Sequence, residues 1–283
     1  METLTAPTVS GHSATHFEEQ LDAALVMNAL LNTDGRAAIS DKGTGRAILV
    51  LHGGGGVSTV FGLSQALVAQ ARVILPTHPG FDGTPRPAHL ASVTELAHFY
   101  LTLLEKLGLD DVVVIGSSIG GWIAAEMAVI NASRIKGLIL LNSVGIQVPG
   151  ETLTDVSRLT PPELIRLASH NPELILRNMP PPTAERQAIQ AANAASLAAY
   201  TKSTSMMAPG LREKLALVAV PVLVLWGESD GIAAPNYGKA YAEAFAKGKF
   251  ELITEAGHLP QIEQPARVLA HIENFISELD SAA

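Results

Sequence analysis

The sequence predicts an α/β protein whose strands are covered by helices on both faces. Three observations carry this. Short, unbroken aliphatic runs recur along the chain. Longer amphipathic stretches separate them. And 47% of the 283 residues are hydrophobic while only 16% are charged. A run that is apolar at every position fits a strand buried on both faces. Such strands alternating with helices imply βαβ units and a parallel sheet.

The elements follow in order. Residues 1–16 are small and polar and predict a loose, flexible tail. In 17–35, Phe17, Leu21, Leu25 and Asn28 are spaced as in a helix, while "LVMNALL" also fits a strand; the reading is a short helix leading into a strand. The apolar runs are 47–51, 72–75, 112–115, 138–141, 222–226 and 250–253, of which only the last alternates polar and apolar. Helices are expected at 92–107, where Ser92 and Glu95 have capping-box spacing, and at 264–279. The second carries Val268, Leu269, Ile272, Phe275, Ile276 and Leu279 on one stripe. The interval 144–219 offers no convincing strand. It is rich in Ala and Leu, and its prolines at 161–162, 172 and 180–182 start or stop short helices. This predicts an all-helical insertion at 144–219 in a core formed by 17–143 and 220–283.

Composition narrows the partners. The net charge is 19 − 27 = −8, with no Lys/Arg cluster, which argues against nucleic acid and anionic membranes. Without cysteine, disulfides and thiolate chemistry are excluded. The first twenty residues lack the pattern of a secretory signal, and no apolar run reaches the roughly 20 residues that span a bilayer. The expectation is a soluble, cytoplasmic protein acting on a small molecule, with a homodimer allowed.

The run 112–115 ends in "GSSIGG", and Gly116 to Gly120 matches G-x-S-x-G. Alone the match is weak, since about 0.1 would arise by chance in such a chain. Its setting, strand before and helix after, is the one the chemistry needs. A sharp turn there lifts a serine hydroxyl above the strand end, beside free amides of the next helix. Side chains two positions to either side would crowd it. Ser118 has glycines at both places, whereas Ser117 has Ile115 and Ile119, so Ser118 is the candidate nucleophile.

A serine needs a base. Of nine histidines, His258 lies in a loop between the last strand and the final helix, at the sheet edge where α/β sites form. His271 and His98 fall in helices, and His12 and His16 in the tail. Asp230 follows the run 222–226 and is favoured over Glu228 as the acid that fixes the imidazole tautomer. "LHGGGG" also follows a strand, and its glycines leave amides unshielded. A phosphate loop is disfavoured because no Gly-Lys-Ser/Thr follows. An oxyanion loop fits better, with the amides of Gly54 (or Gly55) and Ile119 as donors and His52 bracing the loop. Candidate pocket residues are Gly55, Phe81, Trp122, Tyr200, Met206 and Met207; helix packing for Trp122 and core filling for the Met pair remain open.

Together, "LHGGGG", "HPGFDGT", "GSSIGG", "LWGESD" and "EAGHLPQIEQP" resemble the α/β-hydrolase family over about residues 36–280. The resemblance implies a mostly parallel eight-stranded sheet, a helical cap inserted after the sixth strand, and triad roles for Ser118, Asp230 and His258. Members with dehalogenase-like or epoxide hydrolase-like chemistry carry Asp at the nucleophile position, so Ser118 disfavours them. "HGGGG" is similar to the loops of C–C bond hydrolases of ring-fission products, but Leu259 stands where those carry an aromatic residue. His78 replaces an Asp common in the family. The expected activity is hydrolysis of a small-to-medium apolar carboxylic ester or lactone through an acyl-enzyme, with no metal or organic cofactor. The alternatives are C–C bond hydrolysis, or a receptor-like member with little turnover.

Overall fold

The structure, a computed structural model, describes residues 22–31, 38–178, 181, 183–201 and 206–281. The tail expected at 1–16 lies outside them. Helix α1 (Ala23–Leu31) takes in the whole of "LVMNALL", so the strand reading of that stretch does not hold, and strand β1 (Ile39–Lys42) begins beyond the 17–35 interval. The remaining strands are β2 (Ala47–Leu51), β3 (Arg72–Pro76), β4 (Val112–Ser117), β5 (Ile135–Leu141), β6 (Val222–Gly227) and β7 (Gly248–Ile253). They form one sheet in the order β1-β3-β2-β4-β5-β6-β7. β1 runs antiparallel to β3, with Ile39 opposite Pro76, and all other pairs are parallel. The described residues thus give seven strands where the resemblance implied eight.

Every residue of β2, β4 and β6 is buried, because alternate side chains enter two separate cores. Val112 and Val114 face one core; Val113 and Ile115 face the other. The first core also takes α1, α3 (Val93–Lys106), α4 (Ile119–Ile130) and α9 (Pro235–Ala244). The second takes α2 (Phe61–Leu67) and α11 (Pro265–Ser281), whose Val268, Ile272, Phe275 and Leu279 are buried on one stripe. Each such side chain contributes roughly 1.5–3 kcal/mol by leaving water. Ser92 caps α3 by accepting from the Glu95 amide at 3.2 Å, and the Glu95 carboxylate accepts from the Ala91 amide at 2.6 Å.

The interval between β5 and β6 holds α5 (Pro161–Ala168), α6 (Pro172–Asn178), α7 (Ala184–Thr201) and α8 (Leu211–Leu215). Pro161 and Pro172 open their helices, where a missing amide costs nothing. Among the described residues, the interval's extended pairing is a single bridge between Gly145 and Met207. Among the described residues it leaves the sheet after the fifth strand, not the sixth, because they hold one strand fewer than expected before it. β2, β4, β6 and β7 all release their chains at the same sheet edge, which gathers the loops that follow them.

Candidate active site

β4 ends at Ser117 and α4 starts at Ile119, so Ser118 is the turn between them, at φ 54° and ψ −116°. A non-glycine residue in that region costs about 1–3 kcal/mol and persists only where the surroundings force it. Here they do. A Cβ on Gly116 would strike the Gly120 carbonyl, and one on Gly120 would strike the carbonyl oxygen of Leu51. These glycines let α4 start directly against β4 and β2. The Ser118 amide donates to the Leu141 carbonyl at 2.9 Å, pinning the turn to β5.

From Ser118 a hydrogen-bonded chain runs through His258 to Asp230. The Ser118 Oγ lies 3.0 Å from His258 Nε2, and His258 Nδ1 lies 2.8 Å from Asp230 Oδ2. With Nδ1 donating to the carboxylate, Nε2 is free to accept the serine proton. All three residues are buried, at 7%, 6% and 4% exposure. Asp230 Oδ1 accepts from the amides of Ile232 (2.8 Å) and Ala233 (3.1 Å). Burial alone would raise the Asp230 pKa. His258's charge and hydrogen bond, with those from Asn142 and Ala233, outweigh that and hold it below the usual carboxylate value. Glu228 is exposed and accepts instead from the Glu255 amide at 3.3 Å.

The glycine loop passes alongside. A Cβ on Gly53 would lie 3.4 Å from that of Ser118. Gly54 follows, half-buried, and Gly55 is exposed. Ile119 is the first residue of α4, so its amide has no intrahelical acceptor. The loop is braced by Thr59, whose Oγ1 accepts from the Gly53 amide (3.2 Å) and donates to the Gly56 carbonyl (2.8 Å). Beneath it, the His52 and His78 rings lie in contact, centroids 3.8 Å apart and tilted by 34°. His52 Nδ1 donates to the Gly53 carbonyl (2.7 Å), and its Nε2 accepts from the His78 amide (2.9 Å). His78 Nε2 donates to the His52 carbonyl (3.0 Å), and its Nδ1 accepts from the Tyr100 hydroxyl (2.5 Å). The backbone amide that donates to its Nε2 requires the His52 ring to be neutral. Burial lowers His52 to about 4 and His78 well below its ordinary value.

The aromatic pocket candidates are engaged elsewhere. Phe81 is fully buried, its ring 5.2 Å from His52 and stacked 6.3 Å from Tyr200, so it packs under the loop and offers no surface to a pocket. Tyr200 is 2% exposed, with its hydroxyl donated to the Pro79 carbonyl at 2.8 Å. Trp122 donates to Glu126 at 3.3 Å within α4 and packs against Gly145, the helix-packing alternative. Met206 and Met207 are half-buried, the latter bridged to Gly145. Leu197 of α7 approaches Gly54 closely enough that a Cβ there would meet it at 3.0 Å.

Sequence reasoning missed three supports. Asn142, at φ 43° just past β5, donates to Asp230 Oδ2 at 2.7 Å and accepts from the Gly227 amide at 3.1 Å. The last carbonyls of α5 accept from the site loops: Leu167 from the Gly231 amide (2.9 Å) and Ala168 from the His258 amide (2.7 Å). Glu263, in α10 (Pro260–Glu263), accepts from the amides of Gly257 (2.7 Å) and His170 (2.9 Å). Only Asn142 left a trace, as a polar residue closing an apolar run. Among the described residues, no group of three or more His, Asp or Glu is placed to hold a metal ion, and no helix is long and apolar enough to cross a membrane.

Comparison with known proteins gives the same frame. A model of the alpha/beta hydrolase family matches residues 48–271. A 2-hydroxymuconate semialdehyde hydrolase of Pseudomonas sp. (strain CF600) is 25% identical over 270 residues, covering 88% of this chain and 93% of that one. A thermophilic esterase from Thermogutta terrifontis superposes with a TM-score of 0.70 at 28% identity, over 87% of this chain and 96% of that one. A meta-cleavage product hydrolase from Pseudomonas fluorescens shares the fold, with a TM-score of 0.71 at 19% identity, over 85% of this chain and 93% of that one.

Proposed function

The chain belongs to the alpha/beta hydrolase family, and from that premise we propose that it is a serine hydrolase cleaving an apolar carboxylic ester or lactone. The observation that carries the proposal is the unbroken path Ser118–His258–Asp230, with Ser118 held in a strained turn at a helix start.

In this reading Ser118 Oγ attacks the substrate carbonyl while His258 Nε2 takes its proton. Asp230 stays ionised, holds the tautomer and stabilises the imidazolium. The tetrahedral oxyanion rests on the amides of Gly54 and Ile119, each worth about 3–4 kcal/mol of barrier lowering. His258 then protonates the leaving alkoxide, the C–O bond breaks, and an acyl group remains on Ser118. Water, deprotonated by His258, attacks that acyl carbon, and collapse returns the serine and releases the acid. The helical interval 144–219 serves as a cap, with Leu197, Met206 and Met207 offering apolar surface.

The second reading is C–C bond hydrolysis of a ring-fission product, favoured by the relatives of that kind. A ring-fission substrate with a carboxylate would call for a cationic partner. The deciding experiment has two arms. A fluorophosphonate followed by peptide mapping should label Ser118; an unlabelled, folded protein defeats the serine-hydrolase reading. A p-nitrophenyl ester series of rising acyl length, assayed beside a ring-fission dienoate, should favour the esters; faster dienoate turnover selects the second reading.

A further inference from the structure

We propose that Asp82 is a positioning residue that ties the glycine loop to helix α7, so that the loop keeps its shape only while α7 is seated. The catalytic meaning of this coupling rests on the serine-hydrolase reading; the coupling itself does not.

Asp82 and Gly83 both have positive φ, 49° and 80°, and the Thr84 amide closes the turn onto the Phe81 carbonyl at 2.9 Å. Asp-Gly suits such a turn, since both central residues tolerate the left-handed region. It directs the Asp82 side chain back to the glycine loop. Oδ2 accepts from the Val57 amide at 2.8 Å. Gly56, at φ 86°, makes room, for a Cβ there would strike the carboxylate. The other oxygen, Oδ1, accepts from Asn193 Nδ2 at 2.9 Å, and the Asp82 amide donates to Asn193 Oδ1 at 2.7 Å. One residue therefore holds the glycine loop with one oxygen and α7 with the other, across 111 positions of sequence.

The helix end of this link is a built seat. Asn193 is 3% exposed. Ser196 donates to the Gly80 carbonyl at 2.6 Å and Tyr200 to that of Pro79 at 2.8 Å. Positions 193, 196 and 200 lie on one helical face, with Leu197 beside them over Gly54. Residues 184–192, by contrast, are exposed throughout. The first half of α7 projects, and its second half alone rests on loop 79–82. Any movement of α7 off this seat breaks the Asn193–Asp82 pair and frees the carboxylate that orders Val57.

The test uses the full chain and hydrogen exchange, which needs no turnover. Asn193→Ala should speed amide exchange in residues 53–60, and Asp82→Ala should do the same, with no further gain in the double variant. Ser196→Ala, which cuts a seat contact but leaves the Asp82 pair, should leave exchange in 53–60 close to wild type. Unchanged exchange in both single variants, each folded, overturns the coupling, as does an equal rise in Ser196→Ala. In the same variants, Asn193→Ala should slow phosphonylation of Ser118 by about tenfold. Wild-type protein that resists the probe would defeat the hydrolase reading and leave exchange to decide the coupling.

Discussion

Ser117 and Ser118 are neighbours in the chain, yet their hydroxyls serve different partners: Ser118 Oγ lies 3.0 Å from His258 Nε2, while Ser117 Oγ, fully buried, accepts from Gln261 Nε2 at 3.1 Å. The pair gives a direct experiment. Ser118→Ala should lower kcat by roughly 10⁴-fold or more, with the fold intact by circular dichroism. Ser117→Ala should retain most activity and lose about 1 kcal/mol of stability in urea. Near-equal losses of activity would mean that neither hydroxyl acts covalently.

The acid is tested the same way. Asp230 faces His258 and Glu228 faces the Glu255 amide on the exposed rim. Asp230→Asn should cost about 10⁴-fold in kcat by favouring the wrong imidazole tautomer. Glu228→Gln should stay within about twofold, as a surface substitution does. Steady-state kinetics on one ester checks both.

Asn142 separates a backbone role from a side-chain role. Its φ of 43° is one that glycine adopts freely and alanine does not. Asn142→Gly should keep KM and lower kcat about tenfold, because Asp230 loses one of its donors. Asn142→Ala should add a loss of about 1–2 kcal/mol in stability from the forced left-handed backbone. Equal melting temperatures for the two variants would refute the strain argument.

The buried histidines predict a pH dependence. His52 falls from 6.5 to about 4, chiefly through burial, so the unfolded chain binds the proton more readily. Its contribution is present above pH 6.5 and is lost as pH falls towards 4, amounting to about 3 kcal/mol for this ring alone. His78 adds in the same direction. Urea midpoints between pH 7 and 4.5 should fall steeply, and His52→Asn should flatten that slope.

The sheet was legible because its signal is local. An unbroken run such as 112–115 reports burial on both faces by itself, and Ser92 with Glu95 marks a helix start within four residues. Gly116 and Gly120 were legible for the same reason, since the turn they permit is contained in five positions. What escaped reading is what depends on distant pairs. Asn142 meets Asp230 across 88 positions, and Asp82 meets Asn193 across 111; no spacing rule relates them. Phe81 was misread because a lone aromatic in a glycine-rich loop carries no sign of whether its ring turns towards solvent or towards His52.

The two carbonyls that end α5 have a practical consequence for anyone wishing to retarget this protein. Leu167 and Ala168 grip the strand-end loops bearing the acid and the imidazole, so the inserted segment doubles as scaffolding. Swapping the whole stretch for that of a relative would remove the clamp as well. A graft that begins beyond Asn171 keeps the clamp, and it is the safer place to cut.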